Sequence, residues 1–292
     1  MPGHPAIPSG GTGLAHGHRM RNGLVEDAKV LTDWIGDWLG DGRSLLFMTD
    51  YDGTLTPHVP NPAEAWLGQR VQRHLSALAR APQVRLAIVS GRDLGDVTAR
   101  VGVAGAVYAG CHGLQVDGPG IAFSHPEAVA QQRTVQALGV ALAQRVTGID
   151  GVRVEPKRLG ITVHYRDAPD EARRLVEVEL GQALEREGGR IKIFHGTKAI
   201  EILPQVAWSK GHCAKQIRDW ALQTLPKPML SVYMGDDWTD ELAFEALLGQ
   251  AITVRVGPPD TVSRATYRLD DVGAVHELIE RLATVVGWRP AP

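Results

Sequence analysis

Asp50 and Asp52 stand two positions apart in Asp50-Tyr-Asp-Gly-Thr-Leu55, directly after the apolar run Ser44-Leu-Leu-Phe-Met-Thr49. Residues i and i+2 of a strand leave it on the same side, so at a strand end both carboxylates can face one cavity. An Asp-Gly pair is also a common turn. A calcium loop does not fit, because it wants glycine at its sixth position and here Gly53 falls at the fourth. A second acidic group follows another apolar run in Gly235-Asp-Asp-Trp-Thr-Asp-Glu241. Asp240 and Glu241 suit the first turn of a helix, where the macrodipole favours acids, and Thr239 suits its cap. Asp236 and Asp237 precede that helix, and with Asp50 and Asp52 they would make an oxygen-rich site of the kind that holds Mg²⁺ with several waters.

Two further elements favour an anion. Trp208-Ser-Lys-Gly211 opens a helical segment with a cation where the dipole disfavours one. An anion held there resolves the conflict, although a solvated surface lysine is the plainer reading. Ser90-Gly91-Arg92 ends a third apolar run and reads either as a cap and turn or as a hydroxyl and free amide that suit a phosphoryl group.

These residues need a scaffold that brings them to one edge. Ser44–Thr49, Val84–Val89 and Met229–Met234 are short continuous apolar runs, the pattern of strands covered on both faces by helices. Helical spacing over 24–39, 68–80, 94–101 and 210–225 alternates with them, which predicts an α/β fold with a doubly wound parallel sheet. In such sheets ligands bind at the carboxyl ends of the strands, where the acids and glycines lie. The middle of the chain changes rhythm. A helix over 126–146, strands over 152–155 and 161–165, a helix over 170–187 and strands over 191–194 and 199–203 give an αββαββ order. The expected organisation is a flexible tail (1–23), a discontinuous core (24–112 and 206–292) and an inserted α/β cap (113–205).

Length and composition bound the rest. A chain of 292 residues suits about two domains. Its 43% apolar and 22% charged residues are those of an ordinary globular protein, and no apolar run reaches the roughly 18 residues of a spanning helix. A net charge of −2 gives no general pull toward nucleic acid or anionic lipid, so any anion site must be local. Cys111 and Cys213 lie too far apart for a CxxC pair, and they read as buried, reduced thiols of a cytoplasmic protein.

The order DxDGT, SGR, K, GDD resembles that of the haloacid dehalogenase superfamily of phosphatases. The resemblance implies that Asp50 is a nucleophile taking the phosphoryl group and that Asp52 is the general acid and base. It places Asp50, the Asp52 carbonyl and Asp236 on Mg²⁺, Lys210 and Ser90 on the transferring group, and Asp237 and Asp240 as metal-shell or Lys-orienting residues. More narrowly, Asp50-Tyr-Asp-Gly-Thr-Leu-Thr-Pro57, Gly110-Cys-His-Gly113, Glu155-Pro-Lys157, His164-Tyr-Arg166 and the 235–241 motif together resemble the trehalose-6-phosphate phosphatase family. That likeness implies hydrolysis of trehalose 6-phosphate to trehalose and phosphate, as in trehalose biosynthesis, with substrate supplied by a trehalose-phosphate synthase. Gly53, Thr54, Gly91, Arg92 and His112 of the core, and Glu155, Lys157, Arg166, Lys198 and Glu201 of the cap, are then expected to bind substrate. Thr197 is a departure, since the family often carries a second basic residue there. His112 and His164 read more readily as packing or orienting groups than as catalysts. The alternatives are another capped sugar phosphatase, for sucrose phosphate or mannosylglycerate phosphate, and a non-catalytic sugar-phosphate sensor. A sensor would be expected to lose the nucleophile or acid, and Asp50 and Asp52 are both kept.

Overall fold

The computed structural model describes residues 20–21, 24–25, 28–166, 168–187, 189–196 and 199–289. They fall into two compact units, one formed by the chain up to Ala122 and from Trp208 onward, the other by Phe123–Ala207. In the first unit, β1 (Met20–Arg21) and β2 (Leu24–Val25) precede α1 (Ala28–Gly40). Then β3 (Ser44–Thr49), α2 (Gln69–Arg80), β4 (Val84–Val89), α3 (Leu94–Val101) and β5 (Val107–Gly110) alternate, followed by β6 (Gln115–Gly118) and by β7 (Ile121–Ser124), within which the unit boundary falls. The second unit carries α4 (Pro126–Ala130), α5 (Gln132–Arg145), β8 (Arg153–Lys157), β9 (Gly160–His164), α6 (Asp170–Glu187), β10 (Ile191–Gly196) and β11 (Ala199–Pro204). The first unit resumes with α7 (Lys210–Thr224), β12 (Met229–Gly235), α8 (Trp238–Ala246), β13 (Ile252–Val256), β14 (Tyr267–Leu269) and α9 (Val272–Val285).

The first unit is organised by a ten-stranded sheet in the order β1-β2-β14-β13-β12-β3-β4-β5-β6-β7. Its central run from β14 to β5 is parallel. Every residue of β3 is buried, as its unbroken apolar run predicts for a strand covered on both faces. Leu45 and Phe47 pack with Leu86, Ile88, Val232 and Met234 against Leu31 and Ile35 of α1, Leu75 of α2 and Leu278 of α9. Each such side chain contributes about 1.5–3 kcal/mol on leaving water. From β3 the sheet grows through β4 and β5 on one side and through β12 on the other. The reversal of strand order therefore falls between β3 and β12, where the connections diverge and leave a crevice at the strands' carboxyl ends.

In the second unit an antiparallel sheet in the order β10-β11-β9-β8 buries one face. Ile161, Val163, Ile200 and Ile202 pack there with Val135 and Leu142 of α5 and Val176 and Leu180 of α6. Alternation sends Glu155, Thr162, Glu201 and Phe194 to the other face in one row across the four strands, through the partners Glu155↔Thr162, Thr162↔Glu201 and Glu201↔Phe194.

Three boundaries differ from the sequence pattern. The helix expected from Leu24 begins at Ala28, and Leu24–Val25 instead extends the sheet, with Val25 beside Tyr267. The helix expected over 126–146 breaks at Gln131. The insertion expected at 113 begins later, because Cys111, His112 and Gly113, all at positive φ, turn the chain back and set β6 antiparallel to β5. Gln115-Val-Asp-Gly118 has no apolar run by which a strand could be recognised.

Candidate active site

Asp50 leaves the carboxyl end of β3, and its amide donates to Met234 O of the neighbouring β12 at 2.8 Å, which ties the two strand ends together. Lys210, the first residue of α7, is 2% exposed and places Nζ 3.0 Å from Asp50 Oδ1 and 2.9 Å from Asp240 Oδ1. Burial works against the ammonium charge, and Asp240 and Asp50 overcome it, holding Lys210 well above the ordinary lysine range. The same burial pushes Asp50 up, while Lys210 pulls it down. The cation that the sequence left without a partner at a helix start is thus a buried charge shared by two aspartates.

Asp240 is fully buried and takes four donors. Lys210 Nζ and the Tyr233 hydroxyl (2.8 Å) reach Oδ1, and the amides of Asp236 (3.1 Å) and Asp237 (3.2 Å) reach Oδ2. It therefore orients the lysine and the loop. Gly235 makes this approach possible, since a Cβ there would lie 2.1 Å from Asp240 Cγ. Asp237 caps α8, accepting from the amides of Thr239 (2.8 Å) and Asp240 (3.1 Å). Burial tends to raise its carboxyl, but Lys210 and these donors prevail and hold it at about 2.

Asp236 accepts from Thr54 Oγ1 at 3.1 Å and contacts His58 Nε2 at 2.9 Å. A Cβ on Gly53, which has φ +84°, would stand 2.1 Å from Asp236 Oδ2, so glycine keeps this space open. Carboxylate oxygens of Asp50, Asp236 and Asp240 lie within 4.8 Å of one another. This all-oxygen donor set fits a small hard divalent cation. Asp240 already takes four donors within the protein, two on each oxygen, whereas Asp50 and Asp236 carry fewer, so Asp50 and Asp236 are the carboxylates better suited to hold it.

Asp52 faces a different partner. Arg92 donates to both of its oxygens, Nε to Oδ2 and Nη2 to Oδ1, each at 2.7 Å. Nη2 also reaches Pro62 O, and Nη1 reaches Asp96 Oδ2 at 2.8 Å. Arg92, expected to bind substrate, holds these three neighbours with its guanidinium. Thr54, also expected to bind substrate, is fully buried and its hydroxyl donates to Asp236. Ser90, buried at the end of β4, accepts the Arg92 amide at 3.1 Å and keeps its own proton to donate. Gly91, between them, is half-buried, and the amide of His112 donates to Ser90 O at 2.9 Å.

In the second unit Glu155 pairs with His164 at 2.7 Å and Lys157 with Glu201 at 2.7 Å. Arg166 follows β9 and is half-buried. Lys198 and Thr197 lie outside the described residues. Sequence reasoning missed Tyr233, His58, Asp96 and Arg100. Only the last two left a local signal, since Arg92, Asp96 and Arg100 are spaced four apart, the interval of facing positions on a helix.

Strand-end acids around a buried lysine at the switch point of a parallel sheet, with an inserted α/β unit, define a haloacid dehalogenase-like phosphatase fold. Comparison with known proteins narrows this. The trehalose-phosphatase family profile matches residues 48–272, and the chain belongs to that family. It is 36% identical over 253 residues to a trehalose-phosphate phosphatase of Mycobacterium tuberculosis, a match covering 84% of this chain and 63% of that one. The chain thus spans less than two thirds of that relative's length. Among solved structures, the C-terminal domain of Candida albicans trehalose-6-phosphate phosphatase superposes with a TM-score of 0.70 at 23% identity, covering 87% of this chain and 96% of that one. Aspergillus fumigatus trehalose-6-phosphate phosphatase gives 0.58 at 27% identity, covering 89% and 98%. Among the described residues no helix is long and apolar enough to cross a membrane.

Proposed function

We propose that the protein hydrolyses trehalose 6-phosphate to trehalose and phosphate through a phosphorylated Asp50. The observation that carries this reading is the buried Lys210 shared between Asp50 and Asp240, with Asp52 two residues beyond the nucleophile. Asp50 attacks phosphorus, the bond from phosphorus to the sugar oxygen breaks, and Asp52 gives that oxygen a proton. Water then attacks the aspartyl phosphate, Asp52 accepts its proton, and phosphate leaves with the Asp50 carboxylate restored. Lys210 and the Ser90 hydroxyl stabilise charge on the transferring group. Asp50, the main-chain oxygen of Asp52 and Asp236 would hold Mg²⁺, which supplies charge neutralisation at that group when bound. Asp237 supports the start of α8, and Asp240 the direction of Lys210.

For the substrate, family membership and the polar face of the second unit support a disaccharide phosphate. Carboxylates such as Glu155 and Glu201 accept hydrogen bonds from sugar hydroxyls, and Lys157, Arg166 and Lys198 add cations for the phosphate or ring oxygens. A trehalose-phosphate synthase would supply that substrate. The two free cysteines are buried, and burial pushes the Cys213 thiol up to about 12, which suits a protein of the reducing cytosol.

The test is phosphate release, with Mg²⁺ added, from trehalose 6-phosphate, sucrose 6-phosphate, glucose 6-phosphate and 4-nitrophenyl phosphate. Trehalose 6-phosphate is expected to have the highest kcat/KM. Faster turnover of sucrose phosphate or of the monosaccharide ester would overturn the assignment.

A further inference from the structure

A second charged network, distinct from the Lys210 cluster, ends on the Asp52 side chain. The two guanidinium bonds from Arg92, one to each carboxylate oxygen, restrict its rotation, a freedom that one hydrogen bond would leave open. Arg92 is itself fixed. Its Nη1 is held by Asp96 at 2.8 Å, and Asp96 accepts Arg100 Nε with both oxygens at 2.8 Å. Arg100 is anchored in turn, with Nη1 on the carbonyls of Ala63 (3.1 Å) and Ala65 (3.0 Å) and its guanidinium 4.7 Å from the Trp66 ring centre. The Tyr51 hydroxyl shares the Ala65 carbonyl, and the Arg92 guanidinium lies 5.4 Å from the Tyr51 ring centre. Both arginine side chains are less than a tenth exposed.

Burying two guanidinium groups is costly unless their charge is paired and their donors are used, and here each is paired with a carboxylate in a chain that runs to Asp52. General acid catalysis depends on distance and angle, so a carboxylate free to rotate loses part of its effect. We propose that Asp96 and Arg100 are positioning residues that act through Arg92 to fix the direction of Asp52, which enters the first step as the carboxylic acid with one oxygen still held by Arg92, gives its proton to the leaving sugar oxygen, and returns to the doubly paired carboxylate. This rests on the reading of Asp52 as the general acid.

The test compares kcat/KM, which reports the first phosphoryl transfer, for two esters. The sugar alkoxide of trehalose 6-phosphate needs a proton to leave, and 4-nitrophenolate does not. Asp52→Asn sets the full scale, with an expected loss of about 10²-fold or more on the sugar ester and a much smaller one on the aryl ester. Asp96→Asn and Arg100→Lys should each show the same selectivity at reduced size, about 10-fold on the sugar ester and less than about 3-fold on the aryl ester. In the Asp52→Asn background neither change should alter the ratio of the two rates further. Equal losses on both esters for Asp96→Asn and Arg100→Lys, or full additivity with Asp52→Asn, would overturn the positioning role. An Asp52→Asn variant that loses both esters equally would remove the acid reading itself, which separates the two failures. Arg100→Lys keeps the charge and serves if Asp96→Asn does not fold.

Discussion

Lys210 in the first unit and Lys157 in the second are both lysines buried beside carboxylates, and they are embedded differently. Lys210 bonds Asp50 and Asp240, and Asp240 is bound in turn by Tyr233 and two loop amides, so one cation organises the ends of β3 and β12 and the starts of α7 and α8. Lys157 pairs with Glu201 across the sheet, while Glu155 has its closest partner in His164 and feels Lys157 only through its charge. An interlocked cluster gives one fixed geometry and spreads any damage through it. Separate pairs on an open sheet face can exchange a protein partner for a sugar hydroxyl one at a time, which suits recognition.

Breaking the interlocked cluster should therefore produce the largest effects. Asp50→Asn keeps shape and removes the nucleophilic charge, and turnover is expected to fall on the order of 10⁴-fold or more with the circular dichroism spectrum unchanged. Near-normal turnover would end the aspartyl-phosphate mechanism. Lys210→Met leaves Asp50 and Asp240 buried beside each other without a cation, so beyond losing activity it should destabilise the first unit by about 3–5 kcal/mol. Thermal unfolding without added metal should move down by roughly 10 °C. An unchanged Tm would show that the cluster does not depend on its lysine.

The separate pairs should give smaller and substrate-dependent effects. Lys157→Ala is expected to lower kcat/KM for trehalose 6-phosphate by about 10-fold or more, a charged hydrogen bond's worth, through KM more than kcat. Its effect on 4-nitrophenyl phosphate should be much weaker. Equal losses on both esters would mean that this face of the sheet does not read the sugar.

How much of this was legible in sequence follows the same division. The runs at 44–49, 84–89 and 229–234 announce themselves because strands covered on both faces need unbroken apolar residues, and three of the four motifs sit where those runs stop, while Lys210 opens α7. Local spacing could not show what lies opposite. His58 meets Asp236 across 178 positions, and Tyr233 sits within an apolar run where it reads as packing until its hydroxyl is placed on Asp240. The SGR motif shows Arg92 at a strand end, and its two acid partners, Asp52 and Asp96, came only from the fold. In the second unit the placement of Glu155 and Lys157 on one face followed from alternation alone, whereas their partners His164 and Glu201 came from strand register.

The smallest effect belongs to Glu155 and depends on pH. The hydrogen bond from His164 lowers its carboxyl, burial opposes this, and the charges of Lys157 and Arg153 assist, leaving it at about 2. A carboxyl lower in the folded than in the unfolded chain binds fewer protons when folded, so the pair stabilises fully above the ordinary glutamate range. That stabilisation is lost as pH falls from about 4.5 toward 2. His164→Ala should raise the Glu155 titration midpoint by at least about one unit, read by carboxyl NMR, which corresponds to about 1 kcal/mol near neutral pH. Acid unfolding of the second unit should then begin at higher pH than in the parent, while activity on 4-nitrophenyl phosphate is little changed. A Glu155 midpoint that stays near 2 in His164→Ala would show that Lys157 and Arg153 hold the carboxylate, and that the pairs on this face are coupled after all.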